Sequence, residues 1–510
     1  MSFTKQDIAY ITKQGLTLDD IYQQIKTFSE GIPYVNIVTA GTIDNGIEVI
    51  LKEDEKKYVQ LYEEKKDRLE IIKFVPASGA ATRMFQFLHE FLEEYDPNEE
   101  LYIDYIKRTN NTQISLFINS LEQFAFIGPL RKKIRKLYPN YKQNKKGERL
   151  QMIIKALLNK KGLHYSQLPK GLIPFHPYTK YSRTAFEEQL FEAAFYATHK
   201  NSTHTHFTFS EQHVPLFKSE FKKIKKRISN KTKVEFLISY SFQNKSTNTI
   251  AVDLNNNPIR NHKNQLLFRP SGHGALINNL NEINADIIFI KNIDNVIIQQ
   301  HVEKIAYHKK ILAGKMLWLQ KQIFSYLKLI DDNKVTDRKL KEIQTFIFKE
   351  LNIRHITNDV FLIKTLLDRP LRVCGVVKNT GAPGGGPFWV KGTFGANSLQ
   401  IIEMAQIDPN DTHKQTLVKK ATHFNPVDIV CGIKNYKGEK FDLLKFTDPK
   451  SGIIAQKSFE GKPIKALEYP GLWNGAMAKW NTAFVEVPLI TFNPVKTVND
   501  LLKKEHQPNA

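Results

Sequence analysis

Apolar and polar positions follow a helical spacing at the start of the chain. Thr17 and Asp20 stand three residues apart, which is the spacing of a capping box, and Ile21, Ile25 and Phe28 then recur on one helical face. This pattern predicts an amphipathic helix in the N-terminal part of the chain.

The pattern changes at residue 71, where a buried strand is predicted. Apolar residues dominate 71–75, a loop of small residues fills 76–81, and Thr82 opens a helix. A strand, a small-residue loop and a helix in this order form half of a βαβ unit. Further strands are predicted at 206–209, 234–238 and 287–290, and helices at 53–69, 213–228, 274–284, 299–328 and 335–367.

Two stretches depart from this α/β pattern. The residues from 101 to 163 are helical and polar and include the basic run Arg131-Lys132-Lys133, which indicates a helical insertion. Beyond Leu371 the chain is rich in loops, with short strands and a cluster of Gly and Pro. The sequence therefore predicts an α/β fold in three ranges: a helical N-terminal arm at 1–69, an α/β core at 70–330 with a helical insertion at about 98–163, and a mixed α+β C-terminal region at 331–510.

The composition agrees with a globular protein and excludes several other classes. Of 510 residues, 41% are hydrophobic and 25% are charged, which excludes wholesale disorder, collagen and a coiled-coil rod. No apolar run approaches the roughly 20 residues that span a bilayer, so no membrane segment is expected. Cys374 and Cys431 cannot form a disulfide framework in a chain this long, so we expect a cytoplasmic protein.

The formal net charge of +22 has two interpretations. It favours polyanionic partners such as nucleotides or nucleic acid. The alternative is a solvated basic surface in a chain that is rich in Lys, because Lys side chains are mostly exposed in folded proteins. Charge alone leaves both interpretations open.

The loop after the first strand has the composition of a phosphate-binding loop. In Gly79-Ala80-Ala81-Thr82-Arg83 the small side chains allow backbone N–H groups to approach a phosphate, and the following helix directs its positive dipole end there. Arg83, in the first turn of that helix, can donate two parallel hydrogen bonds to a phosphate. A tight turn with a surface arginine is the alternative.

A polar cluster follows the strand predicted at 287–290. Ligands bind at the carboxyl ends of strands in open α/β sheets, and this strand is followed by Asn292-Ile293-Asp294-Asn295. The Asp294 carboxylate is an oxygen ligand of the kind that Mg²⁺ combines with phosphates. An Asx turn that closes the strand is the alternative.

Other candidate residues are weak when each is taken alone. Lys170 is presented from a loop that contains Pro, and glycines flank His273 on both sides. Gly385 lies in a Gly/Pro cluster that is either a flexible loop or a backbone platform for a ligand. Asn474, next to Trp473, either contacts a sugar ring or forms an ordinary turn.

The order of five motifs resembles that of the UDP-sugar pyrophosphorylases, the uridylyltransferases that make UDP-glucose or UDP-N-acetylhexosamine. Their motifs are a Gly-rich loop ending in Gly-Thr-Arg, a Gln…Pro-Lys segment, a Pro-x-Gly-His-Gly turn, an Asn-x-Asp-Asn strand end and a Pro-Val-Lys-Thr-x-x-Asp-Leu-Leu motif. In this chain the same order reads Ala81-Thr82-Arg83, Gln167 to Lys170, Pro270 to Gly274, Asn292 to Asn295, and Pro494 to Leu502. Over nearly its full length the chain also resembles a bacterial family known as domain of unknown function 4301.

The resemblance implies a fold, a reaction and roles for individual residues. The fold is a GT-A-like, Rossmann-type nucleotidyltransferase core. The reaction joins a nucleoside triphosphate, UTP in that family, to a sugar 1-phosphate, with Mg²⁺ as cofactor and with release of pyrophosphate. If the matching positions have the roles they have in that family, the phosphates contact Arg83, Lys170 and Lys496, and Mg²⁺ is held by Asp294. The nucleotide contacts Ser78, Gly79, Ala80, Ala81, Thr82, Gln167, Gly272, His273 and Gly274, and the sugar or its phosphate contacts Asn292, Asn295, Gly385 and Asn474.

The chain departs from the family at two loop positions. It has Ser78 and Ala81 where the family has glycine, and each added side chain narrows the backbone approach. This departure supports an alternative, a protein of the same fold that binds a nucleotide or nucleotide sugar without turnover. A third hypothesis is an RNA-associated protein that uses the basic helical insertion. It is less favoured, because no aromatic-rich RNA-binding signature accompanies the basic run.

Overall fold

The computed structural model describes residues 3–77, 79, 81–381, 384–392 and 396–508, and of His273 it describes the backbone. The α-helices are α1 Lys5–Lys13, α2 Leu18–Glu30, α3 Lys52–Lys65, α4 Gln86–Glu94, α5 Tyr102–Thr109, α6 Thr112–Asn119, α7 Ile127–Leu137, α8 Lys146–Leu158, α9 Ala185–Ala193, α10 Val214–Thr232, α11 Leu276–Asn281, α12 Val302–Asp331, α13 Asp337–Glu350, α14 Val360–Leu367 and α15 Thr412–Lys419. The strands are β1 Ile37–Ala40, β2 Thr42–Ile43, β3 Gly46–Glu48, β4 Ile71–Pro76, β5 Pro174–Tyr178, β6 Tyr181–Thr184, β7 Thr198–His199, β8 Ser202–Phe209, β9 Glu235–Phe242, β10 Asn248–Val252, β11 Phe268–Pro270, β12 Ile287–Ile290, β13 Ile353–Arg354, β14 Leu371–Val376, β15 Gly386–Lys391, β16 Asn397–Ile402, β17 Asp428–Gly432, β18 Ile453–Phe459, β19 Lys462–Glu468 and β20 Asn481–Glu486.

The predicted elements are largely confirmed, with three corrections. The capping box at the start of α2 forms, because the Thr17 hydroxyl accepts from the Asp20 N–H and the Asp20 carboxylate accepts from the Thr17 N–H. The N-terminal arm is not wholly helical, since it contains β1 to β3. The helix predicted at 335–367 is interrupted by β13, and the helix predicted to open at Thr82 begins as a 3₁₀ turn over Ala81–Phe85 before α4.

The chain forms two compact units, each assembled from three separate segments. The first contains residues 1–74, 241–290 and 308–489, and the second contains 75–240, 291–307 and 490–510. The connections between the segments include the carboxyl ends of β4 and β12, where the chain leaves the first unit for the second.

The first unit is built around a mixed sheet in which seven strands follow the order β2-β3-β20-β14-β17-β12-β4. β4 and β12 are parallel neighbours, with Ile71 opposite Ile287 and Phe74 opposite Ile290. Both strands are buried throughout, which explains why they read as unbroken apolar runs. Because β4 and β12 are parallel, their carboxyl ends lie at the same edge of the sheet. Two four-stranded sheets, β1-β15-β16-β13 and β11-β10-β19-β18, complete the strands of this unit.

The second unit is mainly helical. It contains α4 to α10, the antiparallel pair β5 and β6, and β8 flanked by β7 and β9. The range predicted as a helical insertion contains α5 to α8, which pack on an apolar cluster that also includes Val75, Ile293 and Val495. Within the described part of the chain, no helix is long and apolar enough to cross a membrane.

Candidate functional site

The small-residue loop that follows β4 is fastened to the segment 166–170, within the second unit. Ala77 begins the loop, and its N–H donates to the carbonyl of Thr208 over 3.0 Å. Three further hydrogen bonds join the loop to the predicted Gln…Pro-Lys segment: Lys170 N–H to Gly79 O (3.2 Å), Ala81 N–H to Leu168 O (3.0 Å) and Thr82 Oγ1 to Ser166 O (2.9 Å). Two motifs that lie more than 80 residues apart in sequence are therefore adjacent in the fold.

The methyl group of Ala81 lies in the apolar core. Its side chain is fully buried in the apolar cluster of the second unit, and its N–H is already bonded to Leu168. At Gly79, by contrast, a side chain would meet no atom within 4 Å, so this backbone borders open space. Ser78 and Ala80, two predicted nucleotide-binding residues, lie outside the described residues.

Lys170 and Asp294, two residues predicted from separate motifs, form an ion pair. Lys170 Nζ donates to Asp294 Oδ2 over 2.6 Å, and the two side chains are 16% and 21% exposed. Gly171 allows this approach, because a Cβ at that position would lie 3.1 Å from the Ile293 side chain and 3.2 Å from Phe217. The two charged side chains are thus accessible to a ligand, while the backbone beside Lys170 is tightly packed.

Helix α9 holds the Asp294 turn from one side. All nine residues of α9 are buried, including four polar ones. Gln189 Nε2 donates to the carbonyls of Asn292 (2.7 Å) and Ile293 (3.3 Å), and Glu192 accepts from Lys291 over 2.7 Å. Sequence reasoning missed Gln189 and Glu192. The available signal was their i,i+3 spacing, which places both on one helix face.

The C-terminal segment holds the same turn from another side. Asn295 donates to the carbonyl of Thr491 over 3.2 Å and accepts from the N–H of Asn493 over 2.8 Å, while Val495 N–H donates to the carbonyl of Asp294 over 3.3 Å. Asn295 is buried and its amide has these structural partners. The Asn295 amide therefore has a structural role in holding this turn.

Lys496 follows directly on this segment. The residue is exposed, and its N–H and that of Thr497 donate to Asp500 Oδ2 over 2.9 and 2.7 Å. Burial would raise the pKa of Asp500, but hydrogen bonds from Lys503 and from these N–H groups hold it below its ordinary value. Asp500 therefore remains a carboxylate that fixes the backbone beside Lys496.

The first unit contains the predicted residues of the Pro270–Gly274 turn, the Gly/Pro cluster and Asn474, whereas Arg83 and Gln167 are exposed residues of the second unit. Gly272 has a positive φ of +69°, and a Cβ on Gly274 would lie 2.5 Å from Tyr469, so both positions require glycine. Gly385 is buried, and its added Cβ would lie 2.0 Å from the carbonyl oxygen of Ile402. Asn474 is buried and donates to Gln406 Oε1 over 3.0 Å, so its side chain, like that of Asn295, has a structural partner.

The residues at the Asp294 turn fit Mg²⁺ in one specific way. Among the described residues, no group of three or more His, Cys, Asp or Glu side chains is placed to hold a metal ion. Mg²⁺ in nucleotide enzymes is commonly held by one or two carboxylates together with substrate phosphates. Asp294 can supply one such carboxylate, and the remaining ligands would come from phosphates and water.

Several solved structures are similar to this chain at low sequence identity. A UDP-N-acetylglucosamine pyrophosphorylase from Trypanosoma brucei has 9% identity and a TM-score of 0.48, over 98% of this chain and 79% of that one. A UDP-glucose pyrophosphorylase from Leishmania major, solved with UDP-glucose, has 13% identity and a TM-score of 0.44 over the same shares. A UDP-glucose phosphorylase from Trypanosoma brucei has 11% identity and a TM-score of 0.46, over 97% of this chain and 77% of that one.

The search of curated proteins found no match to this chain. A family model matches residues 4–507, and the chain therefore belongs to the family described as Domain of unknown function (DUF4301).

Proposed function

We propose that the protein is a nucleotidyltransferase that forms a nucleotide sugar and pyrophosphate from a nucleoside triphosphate and a sugar 1-phosphate. The observation that carries the proposal is the partly exposed Lys170–Asp294 pair, on a turn that follows the carboxyl end of β12. The small-residue loop after the parallel strand β4 is hydrogen-bonded to the backbone of Lys170 itself. In open α/β sheets ligands bind beyond the carboxyl ends of the strands, and both of these segments directly follow such strands in the chain.

The chemistry asks for charge neutralisation and alignment rather than for an acid or a base. A phosphate oxygen of the sugar 1-phosphate attacks the α-phosphorus in line, a new P–O bond forms, and the bond to the bridging oxygen of pyrophosphate breaks. Lys170, once released from Asp294, neutralises charge on the triphosphate, and Arg83 and Lys496 supply further cations. Bound Mg²⁺ would add charge neutralisation on the phosphates, with Asp294 as its protein ligand.

The identity of the nucleoside triphosphate, UTP, is also part of the proposed function. UTP as the triphosphate is supported by the order of the five motifs, which resembles that of the UDP-sugar pyrophosphorylases. The alternative of binding without turnover drew part of its support from Ala81. The burial of the Ala81 methyl group in the apolar core weakens that support.

The direct test is pyrophosphate release from UTP and the other triphosphates with a panel of sugar 1-phosphates. We expect Mg²⁺-dependent release that Asp294→Ala abolishes. We expect Arg83→Ala mainly to lower kcat, because one phosphate contact is lost in the transition state. Asp332→Ala and Arg131→Ala, which change exposed residues remote in sequence from these motifs, serve as matched controls. Rates like those of the unmodified protein in both site variants would reject the proposal.

Binding is tested separately by thermal melting with each nucleotide in the presence of Mg²⁺. A ligand at 100 times its Kd adds about 2.7 kcal/mol of apparent stability. Stabilisation by one nucleotide without any pyrophosphate release would favour the binding-only alternative. The absence of stabilisation by every nucleotide would contradict the nucleotide site itself.

A further inference from the structure

A histidine pair on β8 lies outside the site described above. His204 and His206 are two residues apart on the strand, and side chains at this spacing point to the same face of a sheet. His204 Nε2 lies 2.7 Å from Ser239 Oγ on β9, and His206 Nδ1 lies 2.8 Å from the same oxygen. Two imidazole nitrogens from different side chains therefore converge on one point.

The face that carries this pair is open, whereas the opposite face is closed. Phe207 and Phe209 on β8 and Phe236 on β9 are buried in the apolar cluster of the second unit. On the histidine face, Leu237 is 48% exposed, and both histidines are half-buried. Each histidine therefore keeps part of its surface in contact with solvent.

We propose that His204 and His206 bind a late first-row divalent metal ion, such as Zn²⁺, Ni²⁺ or Cu²⁺, with the Ser239 hydroxyl or water as a third ligand. Imidazole nitrogen suits these ions, which bind at about 2.0–2.1 Å in the case of Zn²⁺. Both nitrogens already point at the Ser239 oxygen, so an ion that moves this hydroxyl aside lies within reach of both. This site is independent of the proposed nucleotidyl transfer.

The test is calorimetric titration of the chelator-treated full chain with ZnCl₂ at pH 7.5, followed by the same titration of variants. We expect one ion per chain at this site and at least a tenfold loss of affinity in both His204→Ala and His206→Ala. His262→Ala is the matched control, because His262 is exposed and lies on another part of the chain, and its affinity should equal that of the unmodified protein.

Two further variants separate metal binding from folding. His206→Gln retains a hydrogen-bonding side chain beside Ser239, so it should remain folded by circular dichroism and still lose the ion. Ser239→Ala leaves both imidazoles in place and should retain binding within a few-fold. Equal Zn²⁺ affinity in the unmodified protein, His204→Ala and folded His206→Gln would overturn the proposal, as would no measurable binding to the unmodified protein.

Discussion

Two lysine–carboxylate pairs lie three residues apart on the turn that follows β12, and their surroundings differ. Lys291 donates to Glu192 over 2.7 Å with both side chains 1% exposed, whereas the side chains of the Lys170–Asp294 pair are 16% and 21% exposed. When a fully buried pair separates, each charge is left buried without a partner, which is costly. When a partly exposed pair separates, water can solvate both charges. We infer that the first pair fixes the turn and that the second pair separates when a phosphate binds to its lysine.

The largest effect is expected from breaking the buried pair. Lys291→Met should lower the free energy of unfolding by about 3–5 kcal/mol, because it leaves the Glu192 carboxylate buried without its cation. Urea unfolding followed by circular dichroism measures this loss. Lys304→Met, at an exposed position, is the control and should change stability by no more than about 0.5 kcal/mol.

A double variant shows whether charge is the cause. Lys291→Met combined with Glu192→Leu removes both charges, so most of the lost stability should return. The return should be incomplete, since Tyr196 also donates to Glu192 over 2.8 Å and would lose that acceptor. A double variant as unstable as Lys291→Met alone would mean that packing, not charge, distinguishes the two pairs.

Much of the candidate site could be predicted from the sequence, because its residues follow strands that are recognisable as unbroken apolar runs. The apolar runs of β4 and β12 mark where the loop at 77–81 and Asp294 must lie, and parallel pairing brings those ends together. The contact between Lys170 and Asp294 could not be derived from spacing, since 124 residues separate them. The resemblance implied a role for each residue separately, and the contact between them is seen in the structure.

Helix α9 shows why the rest could not be predicted. Glu187, Glu188, Gln189 and Glu192 give the helix the composition of a solvated surface, yet all four are buried. Their partners are distant in sequence: Glu192 pairs with Lys291, and Glu187 with Arg227. Charges are buried only when paired, and a sequence does not reveal pairing across a fold.

An intermediate effect on the free energy of unfolding is expected from acidification, through a buried contact of the C-terminal segment. His506 Nδ1 lies 2.8 Å from His176 Nε2, and His176 Nδ1 lies 2.9 Å from Glu188. Burial, and then the nearness of His176 and Lys503, hold the pKa of His506 well below its usual range. The folded protein therefore keeps this ring neutral, while the unfolded chain protonates it near pH 6.5.

The sign of the pH dependence follows from this difference. Stability from His506 is fully present above about pH 6.5 and declines as the pH falls below it, by up to about 1.4 kcal/mol per pH unit for one proton. His506→Gln should reduce the slope of unfolding free energy between pH 6.5 and 5 by about one proton. His262→Gln, at an exposed position, should leave the slope unchanged. An unchanged slope in His506→Gln would show that this contact is not closed to protons.

The smallest effect on stability, and the sharpest functional one, is expected from Lys170→Met. Because the pair is partly exposed, its loss should cost at most about 1 kcal/mol of unfolding free energy, well below the cost of Lys291→Met. A tenfold weaker Mg²⁺-dependent nucleotide affinity would cut the stabilisation at a fixed concentration from about 2.7 to about 1.4 kcal/mol. Thermal melting with and without nucleotide measures both quantities, and Lys160→Met is the exposed control. A loss of stability as large as that of Lys291→Met would show that the Lys170–Asp294 pair is structural. An unchanged stabilisation by nucleotide would place Lys170 outside the phosphate site, because the loss of a phosphate contact would weaken the nucleotide affinity.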